Sequence, residues 1–169
     1  MKNLIVRAES IQDITAIHQL IAVAFQSDPY SNNQEQFIVD KMRLDQELSI
    51  SLVATINNKV IGHIAFSKVL INSQTSHLYG LAPVAVLPEY QGKGVGKSLI
   101  KAGIAEIKSL GCHGCVVLGE PDYYNRFGFK ESEQLTLEGV PPEYFMVNIF
   151  ADDSPRGQVT YCQAFSEFS

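Results

Sequence analysis

Ile14, Ile17, Leu20, Ile21, Ala24 and Phe25 recur at three- and four-residue spacing, the mark of a helix with one apolar face. Ser10 followed by Asp13 is a start signal of the capping-box kind, so the pattern predicts a first helix ending near Phe25. A strand over Asn3–Arg7 precedes it. The polar stretch from Gln26 to Asn33 contains Pro29 and reads as a loop. A second helix is expected over about Gln34–Glu47, with Phe37, Ile38, Met42 and Leu44 as its apolar face. Beyond it the period changes. Ser49–Ile56 and Lys59–Leu70 are rich in Ile and Val and predict two strands. Asn57-Asn58 between them suits a tight hairpin, because Asn tolerates positive φ. Gln74–His77 reads as a further turn leading into an apolar central strand, His77–Leu87.

Helical spacing returns at Val95, Leu99, Ile100, Ile104, Ile107 and Leu110. Lys97, Lys101 and Lys108 fall on the outer face, and Gly111 supplies a C-terminal stop. Cys115–Leu118 is short and wholly apolar, which predicts a central strand. Pro121 opens a short helix that Gly128 breaks. Phe145–Phe150 and Gln158–Phe165 read as late strands on either side of an Asp152–Gly157 turn. No repeat or low-complexity tract interrupts the chain. The order of elements implies one domain over residues 1–169, with a mixed sheet and helices on both of its faces, an α/β (α+β) class.

Composition narrows the function classes. The net charge is −5 and no basic run exceeds two residues, which argues against nucleic acid as the main partner and leaves room for a local basic pocket. No apolar run is long enough to span a bilayer. The apolar core of the N-terminus is too short for a signal peptide, so the expected location is cytoplasmic. Cys112, Cys115 and Cys162 are too few for a disulfide framework. Cys112-x-x-Cys115 lacks the second pair a zinc site needs. Core thiols and no metal are expected.

The densest chemistry lies between Leu87 and Ser98. An apolar strand ends at Pro88, a glycine-rich turn follows, and a helix begins. Unpaired amides at a helix start carry partial positive charge, and glycines at 92, 94 and 96 admit a ligand close to the backbone. The product is an anion cradle suited to phosphate. The dinucleotide fingerprint fails here, since Gly92-Lys93-Gly94-Val95-Gly96 has the wrong interval after its second glycine. The Walker A loop fits at Gly96-Lys97-Ser98 but has Gln91 where its first glycine belongs. The pattern Q/R-x-x-G-x-G/A is met at every fixed position by Gln91-Gly92-Lys93-Gly94-Val95-Gly96.

That hexapeptide, the strand before it and the helix after it resemble the acetyl-CoA loop of the GNAT family of N-acetyltransferases. A second element, Tyr124-x-x-x-Gly128-Phe129, resembles the Y-x-x-x-G-F motif that follows this loop in the family. Tyr123–Phe129 together with Gly62–Ser67 are similar to a bacterial YhbS-like branch. The likeness is near-contiguous over Leu78–Phe129, and the element order extends it across most of the chain.

The resemblance implies a GNAT fold, a central twisted sheet that is mixed but mostly antiparallel. It also implies acetyl transfer from acetyl-CoA to a primary amine by direct attack in a ternary complex. Backbone groups of Val84, Ala85 and Val86 would bind the pantetheine arm like an added strand. The turn and helix start (Gln91, Gly92, Lys93, Gly94, Val95, Gly96, Lys97, Ser98) would hold the pyrophosphate. Tyr124 would act as general acid toward the leaving thiolate. The family's central strand often carries a glutamate base near its start, where this chain has Tyr79, Gly80, Leu81 and Ala82. Glu35, His63 and His77 are the base candidates. The acceptor pocket would draw on Ser27–Lys41 and Glu133–Tyr144, with Tyr30, Glu35, Glu143 and Tyr144 able to meet a cationic amine. Two rival readings stay open: an acyl-CoA-binding sensor on the same fold, and a P-loop nucleotide-binding enzyme. The chain is expected as a monomer or homodimer.

Overall fold

A computed structural model describes every residue except Asp153. Its strands are β1 (Leu4–Ala8), β2 (Ile50–Ile56), β3 (Lys59–Ile71), β4 (Gln74–Val86), β5 (Gly114–Leu118), β6 (Lys130–Glu131), β7 (Leu135–Thr136), β8 (Phe145–Ile149) and β9 (Gly157–Thr160). The helices are α1 (Ile14–Phe25), α2 (Glu35–Leu44), α3 (Val95–Ser109), a short α4 (Pro121–Tyr124) and α5 (Gln163–Glu167). The sheet order is β1-β2-β3-β4-β5-β8-β6, with β9 joining β3 and β7 joining β9. Pairing along the main path is antiparallel except between β4 and β5.

The periodicity of the helices shows in the packing. Ile17, Leu20 and Ile21 of α1 and Ile38, Val39 and Met42 of α2 are buried against Val53, Ala65 and Ala85 of the sheet. On the opposite face Val95, Leu99, Ile100 and Ile107 of α3 bury against Leu52, Ala54, Ile64 and Phe66. The Ser10–Asp13 capping box forms, and Asp13 is locked further by Arg7 at 2.6 Å. Contact between α3 and the sheet is close because position 103 is glycine. A Cβ there would stand 2.2 Å from Cε2 of the fully buried Phe66. Gly103→Ala gains about 1 kcal/mol of helix propensity against a clash the ring has no room to escape. A net loss of roughly 1–2 kcal/mol is expected in urea unfolding. A variant at or above wild-type stability would show that Phe66 repacks freely.

The structure corrects several boundaries. The second helix is shorter than its apolar pattern, ending at Leu44 with Asp45, Gln46 and Glu47 outside it. The turn expected at Gln74–His77 sits instead at Asn72-Ser73, both at positive φ, and Gln74 already belongs to β4. The strand expected over Gln158–Phe165 ends at Thr160, and Gln163–Glu167 is helical, with Ala164 and Cys162 buried against the α1–α2 layer. The Asp152–Gly157 turn contains Asp153, which lies outside the described residues. All three cysteines are free and buried. Among the described residues no helix is long and apolar enough to cross a membrane, and no cluster of three or more metal-binding side chains occurs.

Candidate active site

The site begins where two parallel strands part. Strands β4 and β5 pair at Leu78↔Gly114, Tyr79↔Cys115 and Gly80↔Val116 and no further. On its other edge β4 stays paired with β3, at Val84↔Ile64, Ala85↔His63 and Val86↔Gly62. Between these registers Ala82 and Pro83 oppose the single residue Ala65, so β4 bulges. Pro83 has no N–H to give a neighbouring strand. The edge of β4 from Ala82 to Val86 that faces β5 is therefore left without a strand partner among the described residues. That is the edge to which an extended amide chain can add.

The glycine-rich turn closes one end of this edge. Gln91 donates its carboxamide N–H to the Val86 carbonyl at 2.9 Å. Its role is internal, tying the turn to the strand end. Gly92 and Gly94 lie at φ +73° and +86°, and a Cβ at either would meet nothing within 4 Å. Glycine is demanded there by backbone conformation, not by crowding. Helix α3 starts at Val95, so the amides of its first turn lack intrahelical acceptors. Ser98 bonds back onto its own helix, its hydroxyl donating to the Gly94 carbonyl at 3.0 Å. Lys93 and Lys97 are exposed and have no ion-pair partner among the described residues.

Where the strands diverge, a cavity of about 790 Å³ opens. Phe25, Asp28, Tyr30, Glu35 and Ile38 wall it from the α1–α2 side, and Leu81 to Val84 from β4. Tyr124 and Leu118 stand across the gap, with β9 and α5 completing the wall. Tyr124 is 9% exposed. Its ring lies on Gly119, where a Cβ would come within 2.4 Å of it, and meets Phe129 edge-on at 5.9 Å. Burial, then the neighbouring Tyr123 and Cys115, push its phenol above the ordinary range. It stays protonated, a donor and not a base. The second aromatic of the pair, Tyr123, packs its hydroxyl over Gly96.

The base candidates fare differently. Glu35 lines the cavity. It accepts a hydrogen bond from the Ser31 hydroxyl on Oε1, while Oε2 is buried with no partner. His77 is exposed near the start of β4, its ring tilted against that of His113 with centroids 4.4 Å apart, and it is not one of the cavity walls. His63 is fully buried on β3 and is not a wall either. Its Nε2 meets the Ser51 hydroxyl at 2.8 Å, and Ser51 donates onward to Glu9. Glu9 in turn accepts two bonds at 2.9 Å from Arg43. Because Ser51 spends its proton on Glu9, Nε2 of His63 must donate to Ser51, leaving Nδ1 bare and unpartnered. Burial holds the imidazole down to about 4. Neither histidine is positioned to take an amine's proton in this cavity. Parity along the strands explains this: His63 faces the α1–α2 layer, and His77 precedes the buried part of β4.

Both expected acceptor segments contribute, through Asp28, Tyr30, Glu35 and Ile38 and through Leu137, Glu138 and Val140. Glu143 and Tyr144 are not cavity walls. Glu143 lines a separate depression beside Pro121 and Lys130, and the Tyr144 carbonyl accepts the Gly119 N–H at 2.9 Å. The residue missed by pattern reading is Tyr161. Its ring covers Gly80, where a Cβ would fall 2.3 Å away, so it sits at the last β4–β5 pair. Its hydroxyl is buried without a partner. A lone glycine within a strand signals close approach of another group, and Gly80 is that signal.

Comparison with known proteins follows the same lines. The model of the acetyltransferase (GNAT) family matches residues 14–129. The N-acetyltransferase YhbS of Escherichia coli strain K12 is 33% identical over 172 residues, covering 98% of this chain and all of the relative. A crystal structure of a GNAT-family acetyltransferase from Brucella melitensis in complex with acetyl-CoA superposes with a TM-score of 0.87 at 42% identity. It covers 98% of this chain and 99% of that one. The Escherichia coli YhbS structure in complex with CoA gives a TM-score of 0.90 at 30% identity, covering 99% and 94%.

Proposed function

Since the chain belongs to the GNAT acetyltransferase family, we propose that it transfers the acetyl group of acetyl-CoA to a primary amine by direct attack. The observation that carries this reading is the parting of β4 from β5 beside the turn at Gly92–Gly96. It offers an unpaired strand edge and an amide-rich helix start in one line. Pantetheine amides pair with Val84–Val86, and the pyrophosphate lies over the amides from Gly92 to Lys97, with Lys93 and Lys97 free to approach it. The thioester then reaches the cavity beside Tyr124.

In the reaction the amine's lone pair attacks the thioester carbonyl, the C–N bond forms and the C–S bond breaks. The leaving sulfur takes a hydrogen bond from the Tyr124 hydroxyl. The proton shed by the attacking nitrogen leaves through water in the cavity and ends on the CoA thiol. No glutamate stands at the start of the parted edge of β4, so an amine that reaches the cavity already neutral is favoured.

Calorimetric titration of acetyl-CoA, CoA and Mg·ATP tests the reading. Binding of both coenzymes in the micromolar range with ATP silent is expected. Binding of ATP alone would transfer the turn to the nucleotide reading. Coenzyme binding with no turnover across an amine panel would favour the sensor. Gly94→Val should weaken acetyl-CoA binding about tenfold, because a β-branched residue at this φ costs roughly 1–2 kcal/mol and the turn must move. Unchanged affinity would detach the turn from the coenzyme.

A further inference from the structure

The cavity walls carry three carboxylates, Asp28, Glu35 and Glu138, and no lysine, arginine or histidine. None of the three has an ion-pair partner among the described residues. Each has one local hydrogen-bond donor, but only Glu35 also has a buried oxygen without a partner. Asp28 accepts the Tyr30 N–H at 2.9 Å, and Glu138 accepts from Gln158 at 3.1 Å. Glu35 is held on one oxygen by Ser31, and its other oxygen is shut from solvent with nothing to bond. A buried acceptor without a donor is costly, and more so when ionised. A donor carried in by a ligand relieves that cost. The Tyr161 hydroxyl is a second buried and unpartnered polar atom on the same walls.

The reacting nitrogen is the wrong donor for this carboxylate. It must offer a free lone pair to the thioester, and an adjacent carboxylate stabilises its protonated form instead. The vacant oxygen suits a second nitrogen that keeps its proton throughout. Such an ammonium also helps the chemistry, because a like charge nearby favours the neutral form of the first amine. Ile38, Leu81, Leu137 and Val159 give the cavity apolar walls for a hydrocarbon spacer.

We propose that the acceptor is a diamine, seated by an ammonium on Glu35 while its other, neutral nitrogen attacks acetyl-CoA. This rests on the acetyl-transfer reading above. One nitrogen forms the amide and loses its proton, CoA leaves as the thiol, and the second ammonium is unchanged. The product carries one cationic nitrogen.

The test compares diaminobutane with butylamine, and diaminopentane with pentylamine, as acceptors. A charged hydrogen bond predicts a kcat/KM ratio of diamine to monoamine on the order of ten- to a hundredfold, carried mainly by KM. Glu35→Gln should collapse that ratio toward one, with acetyl-CoA titration reporting that the variant is folded. Equal use of diamine and monoamine by the unaltered protein overturns the proposal. So does a ratio that survives Glu35→Gln while both rates fall, which would make Glu35 a base. Turnover of neither amine by protein that binds acetyl-CoA overturns the diamine and leaves the coenzyme site standing. Failure to bind coenzyme at all overturns the parent reading with it.

Discussion

Tyr124→Phe is expected to lower kcat by about a hundred- to a thousandfold and to leave the Kd for acetyl-CoA unchanged. The substitution removes one oxygen and keeps the ring, so the contacts with Gly119 and Phe129 persist and the fold is not at stake. The magnitude follows from the chemistry of the leaving group. A thiol titrates near 8.5 and an ordinary phenol near 10, and burial raises Tyr124 further. Full proton transfer from this phenol to a thiolate runs uphill. The hydroxyl instead donates a hydrogen bond to charge as it develops on sulfur, in a site where such bonds are strengthened by exclusion of water. This places the loss below the upper end of general-acid effects. It also has a pH signature. The phenol stays protonated to pH 10 and beyond, so Tyr124 contributes no falling limb to kcat below that. Single-turnover rates of wild type and variant against pH measure both points. A variant with wild-type kcat would hand the role to water and leave Tyr124 a packing residue.

What was legible in the sequence was what chemistry or backbone geometry writes into residue type. Gly92 and Gly94 are readable because a positive φ admits little else. Gly128 is readable for the same reason, closing the turn after Tyr124 at φ +93°. The α1, α2 and α3 faces are readable because ten or more residues repeat the period. Helix α5 has five residues, too few to show a period, and the run Tyr161-Cys162-Gln163-Ala164-Phe165 has the composition of a strand. Asn57-Asn58 marks its hairpin by residue type, whereas the equivalent Asn72-Ser73 turn is masked by the polar run that begins at Gln74 and is already strand. The base candidates show a sharper limit. His63 and His77 are both strand histidines, and only the three-dimensional register says that one is sealed under helices and the other is in solvent. Glu35 is a candidate from residue type alone, but its unpartnered oxygen, like the buried Tyr161 hydroxyl, is a property of the assembled walls that no local pattern encodes.

His63 sets the second large effect, on stability and not on turnover. Its ordinary pKa near 6.5 is lowered to about 4 in the folded protein, first by burial and then by Arg43, against an opposing pull from Glu9. Above pH 6.5 the imidazole is neutral in both folded and unfolded chains and stability does not depend on it. As pH falls from 6.5 to 4 the unfolded chain takes up a proton that the folded one refuses, so stability declines by about 1.4 kcal/mol per unit, or about 3 kcal/mol in all. Below pH 4 both states are protonated and this group adds nothing more. The losses that follow belong to carboxylates held low: Glu9 below its ordinary 4.5 and Asp13, bound to Arg7, down to about 2. The bonding around His63 gives the physical reason. Protonation places a hydrogen on Nδ1, which faces no acceptor, and cannot improve Nε2, already donating to Ser51. Urea unfolding at pH 7.5 and pH 4.5 should differ by roughly 2–3 kcal/mol, and His63→Gln should flatten the difference because glutamine does not titrate. A wild-type protein equally stable at both values would mean that the folded chain admits the proton, with the Glu9 carboxylate as the group that welcomes it through Ser51.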